Sequence, residues 1–201
     1  MPDESVRVRS GLIRVITGPM FSGKTTELIR QLERFRFAKK TVVAFKPSID
    51  TRYTQDAIAS HSGLGLKSIS IEPNDEGLRS VRNFLANNPS HAVGFDEINF
   101  LPTEFVELAE DLASSGITIL ATGLNLDFRG EPFVTTKELM VRADSVIMLT
   151  AICVRCGRRA TRTQRILNGV PAPYDSPVLL IGGKEAYEAR CRTCHEVPGA
   201  K

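Results

Sequence analysis

Gly18-Pro19-Met20-Phe21-Ser22-Gly23-Lys24-Thr25 restricts the possible folds more than any other segment of the chain. It matches G-x-x-x-x-G-K-[ST] throughout, and both flanks are those the pattern requires. Before it, Leu12-Ile13-Arg14-Val15-Ile16-Thr17 is a short apolar run, rich in β-branched residues and suited to a buried strand. After it, Leu28, Ile29, Leu32 and Phe35 recur at helical spacing between charged residues. Glycines let the backbone curl until successive N–H groups converge on one anion, and the start of the helix adds positive potential. Such a loop holds nucleotide phosphates. Lys24 is then expected to neutralise the β- and γ-phosphates of ATP, and the Thr25 hydroxyl to ligate magnesium.

The remaining pattern extends the same architecture. Thr41 to Phe45 reads as a strand, residues 47–65 as loop, Lys67 to Ile71 as a short strand and Glu76 to Leu85 as a helix. Ala92 to Phe95 is a strand ending at Asp96, and Pro102 to Ser115 a helix with proline in its first turn. Ile117 to Leu120 and Ser145 to Leu149 close the series of strands. Alternation of this kind predicts an α/β fold like that of P-loop NTPases, a mainly parallel sheet flanked by helices. Phe35, Phe37, Phe45, Phe84 and Phe105 are assigned to its core, and Leu124 and Phe133 to structural positions.

A carboxylate at a strand's C-terminal end projects into the crevice where open α/β sheets bind ligands. Asp96 is therefore the second expected magnesium ligand. Glu97 follows it directly. In a phosphohydrolase this carboxylate would orient water; in a small-molecule kinase it would accept the proton of the attacking hydroxyl. Both reactions need a carboxylate near the γ-phosphate, so the residue alone does not choose between them.

At 201 residues, 42% hydrophobic and 24% charged, the composition excludes disorder, a fibre and a dense disulfide scaffold. The net charge of +3 is too mild to argue for nucleic acid as the primary partner. No apolar run approaches the ~20 residues that span a bilayer. Met1-Pro2-Asp3-Glu4-Ser5 lacks a secretory pattern, so a cytoplasmic protein without a membrane partner is expected.

All four cysteines, Cys153, Cys156, Cys191 and Cys194, fall in the last quarter of the chain. Two Cys-x-x-Cys turns complete a tetrahedral four-thiolate shell, the usual arrangement for structural zinc. The expected organisation is a loose tail over 1–11, a P-loop α/β domain over 12–150 and a small zinc-ribbon domain over 151–201. Thirty-four residues separate the pairs, more than the ~15–20 of a compact ribbon. Asn168-Gly169, Pro171, Pro173, Pro177 and Gly182-Gly183 suit an irregular loop over 165–185. His195 is an alternative ligand that the complete cysteine set does not need. His61 suits either a substrate-facing position or a plain loop, and His91 a turn before a strand. Arg155, Arg158, Arg159, Arg162 and Arg165 form a basic patch, which keeps a zinc-ribbon ATPase acting on nucleic acid as the competing reading.

Gly18 to Thr25, Lys46-Pro47 with Asp50-Thr51-Arg52-Tyr53, and Asp96-Glu97-Ile98-Asn99-Phe100 resemble the cellular-type (type II) thymidine kinases. So do the two cysteine pairs and Ile181-Gly182-Gly183 ahead of Tyr187, and the matching segments run in order from about residue 12 to 195. The resemblance implies transfer of the ATP γ-phosphate to the 5′-hydroxyl of thymidine or deoxyuridine, in deoxynucleotide salvage. It makes Glu97 the general base, with Lys24, Asp50 and Arg52 at the reacting groups. It assigns ATP to the loop Gly18, Pro19, Met20, Phe21, Ser22, Gly23, Lys24 and Thr25, and to Asp96, Glu97, Ile98 and Asn99. Met20, Phe100, Phe128 and Tyr187 would surround the nucleoside, with the Val178, Leu179, Leu180, Ile181 and Gly182 backbone against the thymine edge. A homotetramer is implied as well. Asn99 departs from the family's usual Gln and shortens the amide's reach by one methylene. In this picture zinc anchors both ends of a lasso over the nucleoside and lowers its ordering cost.

Overall fold

The computed structural model describes residues 11–49, 57–59, 65–178 and 186–200. Asp50, Arg52, His61, Leu179, Leu180, Ile181 and Gly182 lie outside the described residues.

In chain order the elements are β1 (Ile13–Thr17), α1 (Lys24–Phe37), β2 (Val42–Pro47), β3 (Ala57–Ala59), β4 (Gly65–Lys67), β5 (Ile69–Ile71), α2 (Asp75–Asn87), β6 (Ala92–Phe95), a 3₁₀ turn (Ile98–Phe100), α3 (Phe105–Ser114), β7 (Thr118–Gly123), α4 (Val134–Arg142) and β8 (Ser145–Met148). After them come β9 (Ala151–Ile152), β10 (Arg159–Ala160), β11 (Arg162–Leu167), β12 (Val170–Pro171) and β13 (Ala186–Arg190). The main sheet runs β5-β2-β6-β7-β1-β8 with every pairing parallel. All its C-terminal ends therefore share one edge. This is the expected α/β architecture.

Alternation along the strands divides the core between two faces. On one, Ile16, Ala44 and Leu120 meet Leu28, Ile29 and Leu32 of α1. On the other, Val15, Phe45, Phe95, Ile119 and Ala121 meet apolar side chains of α2, α3 and α4, including Leu78, Val81, Phe105, Leu108 and Leu139. Phe45 and Phe95 stack with ring centroids 5.5 Å apart, and Phe105 meets Phe95 edge-on at 4.8 Å. α1 comes so close to β6 that a Cβ on Gly94 would lie 2.7 Å from Leu32 Cδ1. Asn74 caps α2, its side chain accepting from the Glu76 and Gly77 N–H groups at 3.0 and 3.1 Å.

Four expectations need correction. Phe37 is 85% exposed, because it ends α1 on the side turned from the sheet. The segment expected as loop contains β3, paired antiparallel with β4. The strand expected over Lys67 to Ile71 is interrupted at Ser68, leaving β4 and β5 in different sheets. Residues 165–171 are not irregular: β11 and β12 form a hairpin turned by Asn168-Gly169, both in the left-handed region. α4 had no sequence signal strong enough to name, since only Leu139 among its buried residues is large and apolar.

Candidate active site at the strand ends

At the end of β1 the Thr17 hydroxyl donates to the Gly123 carbonyl at 2.8 Å, fastening β1 to β7 where the phosphate loop begins. Gly18 has φ 153°, and a Cβ there would lie 2.5 Å from the Leu149 carbonyl oxygen. Phe21 and Gly23 occupy the left-handed region at φ 66° and 84°, and α1 starts directly after Gly23. The Pro19 carbonyl accepts from both the Ser22 hydroxyl, at 2.8 Å, and the Lys24 ammonium, at 2.9 Å. The loop is thus curled tightly, with its lysine buried against it.

Asp96 leaves β6, separated from β1 by β7 alone. Its carboxylate accepts from the Thr25 hydroxyl at 3.0 Å, from the Thr122 hydroxyl, and from the Glu97 N–H at 3.1 Å. Burial, and secondarily the charge of Glu97, pushes the Asp96 carboxyl up to about 6 against the pull of those hydroxyls and Lys24. A divalent cation would reverse that shift, and a hydroxyl beside a carboxylate is a hard-oxygen donor set that fits magnesium.

Glu97 is buried with φ 50°, a left-handed conformation costing on the order of 1–3 kcal/mol in a non-glycine residue. It turns the chain at once into the 3₁₀ segment. There Ile98 enters the core, and Asn99 Oδ1 accepts the Leu124 N–H at 2.9 Å. The shorter amide is thus used to tie this segment to the chain leaving β7.

Beyond β8 the cysteines converge. Cys153 and Cys156 lie in the turn between β9 and β10, where the Cys153 carbonyl accepts from Gly157 N–H at 2.9 Å. In the second knuckle the Cys191 carbonyl accepts from the Cys194 and His195 N–H groups. All four Sγ atoms lie within 4.8 Å of one another. Arg158, donating to Cys156 Sγ, draws that thiol down to about 6, while the facing sulfurs of Cys191 and Cys156 push Cys194 up to about 12. Four thiolates this close need a cation, and zinc suits the donor set. The His195 ring is occupied elsewhere: Nε2 donates to the Phe128 carbonyl at 2.8 Å.

The aromatic residues gather around a guanidinium. Phe128 is buried, and Arg165, only 1% exposed, lies 4.4 Å above its ring centroid. Arg165 also donates to the Tyr187 hydroxyl and to the carbonyls of Pro177 and Val178. The Met20 N–H of the phosphate loop donates to the Thr163 hydroxyl of β11 at 3.0 Å, joining the loop to the cysteine segment. Phe100 and Met20 are partly buried. The structure therefore brings Lys24, Thr25, Asp96 and Glu97 to one strand edge, and Phe128, Tyr187 and Val178 to one guanidinium.

Three members of this arrangement escape sequence reasoning. Thr122 and Thr163 carry no local signal. Arg165 was grouped with a basic patch that the fold divides: Arg155, Arg158 and Arg159 are exposed, Arg162 is half-buried and Arg165 is interior. A strand-period reading of Thr163 and Arg165, two residues apart and so on one face, was the available clue.

A family model described as thymidine kinase matches residues 11–195. A thymidine kinase of Thermococcus kodakarensis is 49% identical over 188 residues, covering 94% of this chain and 95% of the relative. One from Pyrobaculum aerophilum is 50% identical over 187 residues, 93% of this chain and 100% of the relative. One from Mesoplasma florum is 44% identical over 187 residues, 93% and 92% respectively.

Proposed function

Because this chain belongs to the thymidine kinase family, we propose that it transfers the γ-phosphoryl group of ATP to the 5′-hydroxyl of thymidine, and also of deoxyuridine, in deoxynucleotide salvage. The observation that carries the reading is the Thr25 hydroxyl on the Asp96 carboxylate with Glu97 next in the chain, at the strand edge the phosphate loop enters.

Glu97 takes the 5′-hydroxyl proton as the hydroxyl oxygen bonds to the γ-phosphorus. The bond from that phosphorus to the β,γ-bridging oxygen breaks, and ADP leaves. Gly18 to Gly23 present the loop backbone to the phosphates, and Lys24 exchanges the Pro19 carbonyl for phosphate oxygens. Asp96, Glu97, Ile98 and Asn99 line the ATP side. Thr25 and Asp96 would hold magnesium, which would supply charge neutralisation at the phosphates. Asp50 and Arg52 act near the reacting hydroxyl and phosphates, in keeping with the family resemblance.

Residues 12–150 form the ATP-binding domain and 151–201 a zinc-bearing domain that closes over the nucleoside. Phe128, Tyr187, Phe100 and Met20 surround the base, and backbone from Val178 to Gly182 reads its edge. The position of Phe128 and Tyr187 around buried Arg165 supports this assignment. The family resemblance further supports a cytoplasmic homotetramer. Among the described residues, no helix is long and apolar enough to cross a membrane.

Labelled ATP offered with a panel of nucleosides, then with DNA, tests the reading: label should pass to thymidine and deoxyuridine. Hydrolysis stimulated by DNA, without nucleotide product, would instead identify a nucleic-acid ATPase. Glu97→Gln should lower kcat about 10²- to 10⁴-fold while ATP still binds. Near-normal turnover in that variant sinks the role of Glu97.

A further inference from the structure

We propose that His195 is a positioning residue for the acceptor site: from its place directly after the fourth cysteine, its imidazole fixes the Phe128 backbone and with it the aim of the Phe128 ring. The inference rests on the reading of Phe128 as a wall of the nucleoside pocket.

Phe128 lies in a turn that satisfies the N–H groups of Asp127, Arg129, Gly130 and Glu131 internally. Asp127 N–H donates to the Glu131 carbonyl at 2.8 Å, and Gly130 N–H to the Asp127 carbonyl at 3.1 Å. Asp127 Oδ1 accepts from the Arg129 and Glu131 N–H groups at 2.8 and 3.0 Å. The Phe128 carbonyl points out of this turn and is taken by His195 Nε2 at 2.8 Å. A carbonyl can only accept, so Nε2 carries the proton that this contact needs. The phenyl group is held separately, by Arg165 over its face. Backbone and ring of Phe128 are thus gripped by two residues of the cysteine segment.

His195 can act as an anchor because its own segment is immobilised. Its N–H donates to the Cys191 carbonyl at 3.0 Å. The next residue is locked to β11 from both sides, Glu196 N–H donating to Gln164 Oε1 and Gln164 Nε2 to the Glu196 carbonyl, each at 2.8 Å. The Glu196 carboxylate pairs with Arg155 in the first knuckle, and the Pro198 carbonyl accepts the Tyr174 N–H at 2.9 Å. A displacement at the second knuckle reaches Phe128 through one hydrogen bond.

His195→Phe keeps the bulk and removes the donor, leaving a buried carbonyl unpaired. The thymidine KM should rise about 5- to 50-fold. The ATP KM and kcat should stay within about twofold, and zinc content by metal analysis should be unchanged. His195→Gln, whose amide N–H can reach the same carbonyl, should restore most of the thymidine KM. A parallel rise in both KM values, loss of zinc, no change, or a His195→Gln variant indistinguishable from His195→Phe each overturns the proposal. If His195→Phe does not fold, His195→Asn, with the same amide one methylene short, takes its place in the comparison with His195→Gln. Hydrogen exchange of residues 124–133 without substrates reads the same clamp independently of activity. Exchange should quicken in His195→Phe and not in His195→Gln; equal protection in both refutes the clamp. Should the unmodified protein phosphorylate no nucleoside, the functional reading fails while the exchange result still decides the role of His195.

Discussion

Stripping the metal from the cysteine site should weaken thymidine binding by two to three orders of magnitude and ATP binding by about fivefold or less. The knuckles enclose 34 residues, 157–190. Closing a chain of that length costs about 3 kcal/mol from its logarithmic dependence on length, or about 4 kcal/mol with the constant used for cross-links. The β11–β13 ladder, pairing Arg162 with Arg190 through Ile166 with Ala186, closes an inner loop of its own, residues 167–185. If that ladder survived alone, the metal would add only about 0.5 kcal/mol, the difference between the two loop lengths. It has little to survive on. The apolar cluster beside it consists of Ala151, Ala160, Ala189, Cys153 and Cys191, with Cys194 packed against them, and so small a sheet is marginal without more burial. The ordering cost then falls on the nucleoside when it binds, about 3–4 kcal/mol or 10²- to 10³-fold. Among the described residues, the phosphate loop is tied to this segment by the hydrogen bond from Met20 N–H to Thr163, worth about 1 kcal/mol. Calorimetric titration of metal-free and reconstituted protein with thymidine and with a non-hydrolysable ATP analogue measures both. Equal weakening of the two ligands, or of neither, refutes the reasoning.

Asp96, raised to about 6 by burial and the Glu97 charge, must lose its proton before it can serve a cation. Magnesium-dependent nucleotide affinity should therefore be level above pH 7 and fall toward tenfold per pH unit below pH 6. Fluorescent-nucleotide titration across pH 5–8 should show this inflection in the unmodified protein and not in Asp96→Asn; a level profile in the unmodified protein counts against Asp96 as ligand. Arg165→Lys keeps the charge but loses the planar fork that serves Tyr187, Pro177 and Val178 together. Steady-state kinetics should show the thymidine KM raised about 10- to 100-fold with the ATP KM unchanged, corresponding to the loss of one or two hydrogen bonds to a charged group; an unaltered thymidine KM removes Arg165 from the pocket.

The readable parts of this molecule are those in which chemistry is encoded by neighbours in the chain. The phosphate loop needs its two glycines, lysine and threonine at fixed spacing. The cysteine pairs each make a turn by themselves, and the apolar run before Asp96 announces both a strand and what its end carries. Strand order, the placing of α4 and the fate of Phe37 were not readable in this way. α4 buries two threonines against the fold instead of an apolar stripe, and Phe37 has the composition of a core residue at a helix end turned outward.

Arg165 marks the division most clearly. Along the chain it is one of five arginines in a stretch that looks like a solvated basic face. In three dimensions it is interior, because Phe128, Tyr187 and the Pro177–Val178 carbonyls converge on it from three separate segments. The same holds for Thr122, Thr163 and His195, whose partners lie 26 to 143 residues away. By itself the sequence determined that this chain curls a loop around phosphate, carries a carboxylate pair at a strand end and assembles a thiolate site. Only the tertiary structure decided which polar side chains bind those pieces into one site. A hydrogen bond or a stacked guanidinium depends on distances a few ångströms long, set by packing between segments that are remote in the chain.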